Sequence, residues 1–172
     1  MRLFLMASLA AAAATFAAQA DERDAGPENE PVIHAAGYDL VGCAKRSVLW
    51  HDLYNLALFE RDGGEMIVME VLHEGEMPDG LPDDWPPKLA RTLDEETIAQ
   101  IDAAFALIQP KSRVEIAYLP KLDRTEMAVD GIALMVLPER ATFDAISDMW
   151  FGEEPISKGL KAEILGGECA LG

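Results

Sequence analysis

The residues of this chain that could do chemistry are few, and their spacing limits what that chemistry is. His34, His51 and His73 lie far apart, and no pair has the four-residue separation that sets two imidazoles on one helix face around a metal. His51, between Trp50 and Asp52 in an apolar stretch, would ligate a haem or a metal only beside a cleft; an exposed or hydrogen-bonded ring is the plainer reading. Asp79, Asp83 and Asp84 lack the regular acidic spacing and the glycine of a calcium-binding hand, so they read as a solvated loop. Met66, Met69, Met127 and Met135 recur in strand-like stretches and suit either a core or an adaptable apolar pocket. No nucleophile elbow, phosphate loop or dinucleotide fingerprint occurs. The expectation is no catalytic residue, no metal and no cofactor.

Cys43 and Cys169 are the only cysteines. Their chemistry depends on compartment. Met1-Arg2 supplies a positive start, Leu3 to Ala18 is an apolar run, and Ala18-Gln19-Ala20 fits the small-x-small rule of a signal peptidase site. Residues 1–20 therefore read as a signal peptide, and the run is short for a membrane span. The expected location is periplasmic or secreted, with no membrane span after cleavage. There an even pair of cysteines reads as a disulfide, with two separate buried thiols as the alternative. No C-x-x-C motif is present to do thiol redox chemistry.

The elements that must position these residues begin after an acidic, Pro- and Gly-containing stretch, residues 21–36, which reads as a flexible linker. Tyr38, Leu40 and Gly42 alternate as a first strand, Lys45-Arg46-Ser47 reads as a turn, and Val48 to Glu60 as a long strand. Arg61-Asp-Gly-Gly64 is a hairpin turn into Met66–Leu72. His73 to Pro87 is rich in proline and acid and must be loop-like. Thr92-Leu-Asp-Glu95 fits a capping box, opening a helix whose stripe is Ile98, Ile101, Phe105 and Ile108 and which Pro110 ends. Strands are expected over 113–119, 125–129 and 132–137, with a tight turn at Asp130-Gly131. Two short helices close the chain, hinged at Gly152. Thr142 is the expected cap of the first, whose stripe is Phe143, Ile146 and Trp150; Pro155 begins the second, whose stripe is Ile156, Leu160 and Ile164, and Gly166-Gly167 stops it. Trp150 reads as a packing joint between them. This order predicts one α+β domain over residues 37–172, an antiparallel sheet with helices on one face.

Composition narrows the partners. Lys and Arg number 14 against 31 Asp and Glu, for a net charge of −17, and loss of Arg2 with the leader makes it more negative still. Nucleic acid and anionic lipid are disfavoured by repulsion. Solubility alone accounts for such a charge, and a basic protein partner is the interaction it would favour.

Several segments together resemble the chalcone isomerase-like family. Arg46 followed by Tyr54 and Leu56-Ala-Leu-Phe59 resembles its opening strands, Pro110 to Tyr118 with Glu126 to Gly131 its paired central strands, and Trp150-Phe-Gly-Glu-Glu-Pro155 to Gly166 the closing helices of its secreted bacterial branch. The resemblance covers roughly 37–167 and implies an open-faced β-sandwich, a curved antiparallel sheet backed by helices, with a cleft for an apolar molecule. The family's enzymes use an arginine near the first strands, a tyrosine–lysine–asparagine set after the third, and threonines in the pocket. Arg46 is the candidate for that arginine, but Leu72 to Trp85 contains no Tyr, Lys or Asn. An oxyanion needs a donor or cation beside it, and this acidic loop would repel one. The expected function is thus a non-catalytic exported binder of a small hydrophobic molecule, fatty acid-like or tetrapyrrole-like. Arg46 would meet a carboxylate, with Tyr54 and Tyr118 as hydrogen-bond donors. The alternatives are an isomerase or lyase with a rearranged site, and an envelope interaction protein.

Overall fold

The computed structural model describes residues 37–167 and 169–170; the expected signal peptide and acidic linker, with His34, lie outside the described residues. Strands β1 (Asp39–Val48), β2 (His51–Arg61), β3 (Gly64–Val71), β4 (Arg113–Leu119), β5 (Arg124–Val129) and β6 (Ile132–Pro138) form an antiparallel meander in the order β6-β5-β4-β3-β2-β1. The two-residue strand β7 (Cys169–Ala170) adds to the β1 edge in parallel. The one long connection in the meander, between β3 and β4, carries helices α1 (Pro86–Leu89) and α2 (Glu95–Phe105). Helices α3 (Arg140–Phe151) and α4 (Lys158–Leu165) follow β6. The fold is the expected α+β open-faced sandwich.

Alternation explains which face is covered. Leu56, Leu58, Ile67, Met69, Val114, Ile116, Met127 and Met135 point to the helices and are buried with Ile101, Phe105, Phe143, Ile146, Trp150, Leu160 and Ile164. Arg113, Glu115 and Glu70 lie on the reverse face, where the Arg113 guanidinium donates to Glu70 at 3.2 Å and to Glu115 at 2.9 Å. Two of the expected hairpin turns form as read: Asp62-Gly63 and Asp130-Gly131 both have two consecutive positive φ values, the two-residue geometry that matches strand twist.

Four local expectations are corrected. Lys45-Arg46-Ser47 is not a turn: β1 runs on to Val48, and the chain reverses at Leu49-Trp50. Neither residue is a usual turn former, and Leu49 takes φ 57°, which the sequence does not announce. The α2 cap is Asp94, whose carboxylate accepts the Thr97 N–H at 2.7 Å, rather than Thr92. Thr142 lies inside α3 and donates back to the Pro138 carbonyl at 2.9 Å, while α3 starts at Arg140. Pro155 precedes α4, which is capped by Ser157 accepting the Leu160 N–H at 3.3 Å. Ile156 packs on the core from outside the helix.

The disulfide forms between Cys43 and Cys169, closing a sequence separation of 126 residues and tying β7 to β1. Gly42, one residue before, lets α4 rest directly on the strand: a Cβ there would come within 2.1 Å of the Ile164 carbonyl oxygen.

Candidate functional site

Arg46, Tyr54 and Val71 stand in one cross-strand row at one end of the inner face of the sheet. The register slips between Arg46 and Ser47, so that Leu53 is an extra residue on β2. Such a bulge re-aims side chains, and here the consecutive residues Leu53 and Tyr54 both face one cleft. The Leu53 carbonyl accepts the N–H groups of Leu72 and His73 at 2.9 and 3.1 Å, which fixes where the following loop departs.

That loop walls the cleft. Its backbone is pinned to α2 where the Leu81 N–H donates to Asp102 at 2.8 Å. Leu81 and Trp85 are buried, and Trp85 meets Phe105 of α2 and Trp150 of α3 edge-on, with ring centroids 5.5 and 5.1 Å apart. Trp85, Phe105 and Trp150 join Met69, Val71, Met77 and Ile108 around about 420 Å³ of mostly apolar space, within the range of small-molecule sites. Arg46 and the loop's His73, Glu76 and Asp84 supply its charged or titratable side chains.

Tyr54 is held in place by Trp150, whose indole N–H donates to the tyrosine oxygen at 3.1 Å. The Tyr54 hydroxyl hydrogen remains available to an acceptor in the cleft. Burial raises the Tyr54 pKa; the Trp150 bond and the nearby Arg46 charge only partly oppose it. The hydroxyl is thus neutral and a donor across the physiological range. No ion pair among the described residues engages Arg46. The arrangement offers one guanidinium and one tyrosine hydroxyl in an apolar cleft, a combination suited to a carboxylate with a hydrophobic tail.

Of the residues expected to bind a ligand, Arg46 and Tyr54 meet at this cleft and Tyr118 does not. Tyr118 pairs with Glu65, six positions along β3 from Val71 and about 20 Å away. Its hydroxyl donates to Asp123 at 3.0 Å, which raises its pKa, and Arg140 lies over its ring at 5.1 Å. Alternation puts Tyr118 on the inner face, but only register shows at which end of it. The larger depression, about 570 Å³, is lined by Asp39, Glu60, Arg61, Glu65 and Arg140. Arg140 is already committed there to Glu65 and Asp144, so that surface is an ion-paired rim. Trp150, expected as a packing joint, also belongs to the cleft. Its apolar helical stripe conceals that its N–H faces Tyr54. His73, rather than His51, is the histidine on the cleft wall; His51 is exposed beside Trp50. Asp79, Asp83 and Asp84 form no metal site, and among the described residues no cluster of potential ligands does.

Residues 24–166 match the protein family described as chalcone isomerase-like. Among solved structures, a fatty-acid binding protein of Arabidopsis thaliana superposes with a TM-score of 0.56 at 14% identity, over 79% of this chain and 90% of the other. No curated protein matches the sequence.

Proposed function

The chain belongs to the chalcone isomerase-like family, and on that premise we propose that it binds a small hydrophobic molecule with an acidic head, of the fatty-acid class, without transforming it. The observation that carries this reading is Arg46, free of any ion pair among the described residues, set beside the protonated Tyr54 at a cleft whose lining is mostly apolar. The name of the structural neighbour, a fatty-acid binding protein, agrees with it. The loop that walls the cleft argues against the family's isomerase chemistry. Its residues 72–85 include no Tyr, Lys or Asn to donate to an enolate or phenolate, and electrostatic stabilisation of that charge dominates such steps.

Titration of the protein with a long-chain fatty acid by calorimetry tests the reading. Arg46→Met should lower affinity roughly 10- to 100-fold, the worth of a hydrogen bond to a charged group. Neutral analogues of the same chain length should be indifferent to the substitution. Absence of binding by the unmodified protein, or an affinity unmoved in Arg46→Met, would overturn it. Binding of haem in preference to fatty acid would move the ligand to the tetrapyrrole class. We further propose export through the leader at residues 1–20, which accords with the Cys43–Cys169 disulfide, a bond that persists in oxidising compartments.

A further inference from the structure

The turn between β1 and β2 is the most exposed apolar feature among the described residues. Leu49 is 82% and Trp50 80% exposed, and Val48 beside them is 41% exposed. Hairpin tips ordinarily carry Asn, Asp or Gly, because the turn needs positive φ and polar groups suit water. This one places leucine at φ 57°, a conformation that costs a residue with a Cβ, and leaves a tryptophan, the largest of side chains, uncovered beside it. Neither side chain joins the hydrophobic core, and the Trp50 ring lies 5.7 Å from that of the exposed His51.

Its position gives it a use. The same hairpin carries Arg46 and Leu53–Tyr54, which line the cleft, so the tip projects beyond the end of the sheet where the cleft lies. We infer that Leu49 and Trp50 insert into the interfacial layer of a lipid bilayer, bringing the cleft to the surface from which an apolar ligand is collected or onto which it is released. The inference rests on the proposed binding of a hydrophobic ligand for its purpose, but the contact itself needs no ligand. Tryptophan and leucine are side chains that partition to the headgroup–acyl boundary. Two residues and a flanking valine could bury only a few hundred Å², roughly a third of what a stable protein interface needs. A lipid surface accepts such a small convex tip where a second copy of the chain would not.

Charge selects the lipid. Residues 48–51 carry no carboxylate, and Asp52 behind them is bridged to Lys45 at 3.1 Å, with Arg46 adjacent to that lysine. The molecule as a whole, at −17, is repelled by anionic membranes. A zwitterionic phosphatidylcholine surface is therefore the matching partner, and adding anionic lipid should weaken the contact at low salt.

The test is cosedimentation of the protein with phosphatidylcholine vesicles, read together with tryptophan emission. Trp85 and Trp150 are buried, so a blue shift on binding reports Trp50. The expected result is vesicle association with a blue shift, and a loss of roughly tenfold or more in partitioning for Trp50→Ser combined with Leu49→Gly. Leu49→Gly relieves the left-handed strain, so the variant should remain folded, and fatty-acid affinity in vesicle-free solution should be unchanged. No association of the unmodified protein, equal association of the variant, or a self-association that the variant abolishes would each overturn the inference. A protein that binds vesicles through the tip but no fatty acid in solution would sink the ligand proposal and leave the surface contact standing.

Discussion

Burial raises the pKa of the Tyr54 hydroxyl, and the indole N–H that it accepts from Trp150 acts in the opposite sense without cancelling it. The native state therefore holds this proton more tightly than the unfolded chain does. That contribution to stability is whole below the ordinary value of 10.0 and drains away as pH rises through the higher folded value. Denaturation at about pH 9 and about pH 11 should show the loss, and Tyr54→Phe should flatten it; an equal pH dependence in both proteins would count against the buried hydroxyl as its source. The same variant should weaken fatty-acid binding by about 0.5–1.5 kcal/mol, one hydrogen bond, provided the hydroxyl donates to the head group. At this scale the sequence is partly legible. Arg46 and Tyr54 come forward through the family resemblance, which implies an arginine near the first strands, whereas Lys45-Arg46-Ser47 by itself reads as a turn. The partnership of Tyr54 with Trp150 does not come forward, because 96 residues separate them and only the folded packing brings them together.

Caps and contacts between elements carry predictions of their own. Asp94→Ala should cost about 1 kcal/mol by removing the acceptor of the Thr97 N–H, whereas Thr92→Ala should change stability little; urea denaturation of both variants decides between the two possible starts of α2. Gly42→Ala should destabilise by about 1–3 kcal/mol, because its methyl group meets the Ile164 carbonyl and must push α4 off β1. Serine at both Cys43 and Cys169 should cost about 2–5 kcal/mol, given the long loop that the bond closes, and the loss should match that of the native protein under reductant. The strands are the most readable elements, since Val114, Ile116 and Tyr118 alternate with Glu115 and turn signals at Asp62-Gly63 and Asp130-Gly131 are explicit. Caps are less so. Thr92 and Asp94 both precede the same apolar stripe, and only the backbone direction selects the aspartate.

At the scale of the whole molecule, charge outweighs every local feature of the surface. With 31 acidic residues against 14 basic ones, self-repulsion opposes compaction, and the surface ion pairs among the described residues relieve little of it. Raising NaCl from about 10 mM to physiological strength should therefore raise the melting temperature, as screening sets in over the Debye length. An unchanged or falling melting point would show that local ion pairs outweigh the global field. The α+β architecture is legible in the order of the elements, and the family resemblance rests on the same segments that build the sheet. The hairpin tip is not legible, because Leu49-Trp50 has the composition of a strand interior.

The edge-to-face contact of Trp85 with Trp150 has a practical sequel. Two indoles 5.1 Å apart and nearly perpendicular are coupled chromophores, and one of them holds the cleft's tyrosine. Any occupant that shifts either ring alters their joint near-ultraviolet dichroism. The protein thus carries an unlabelled optical gauge of its own filling, read by dichroism rather than by the emission shift that reports Trp50 at the tip.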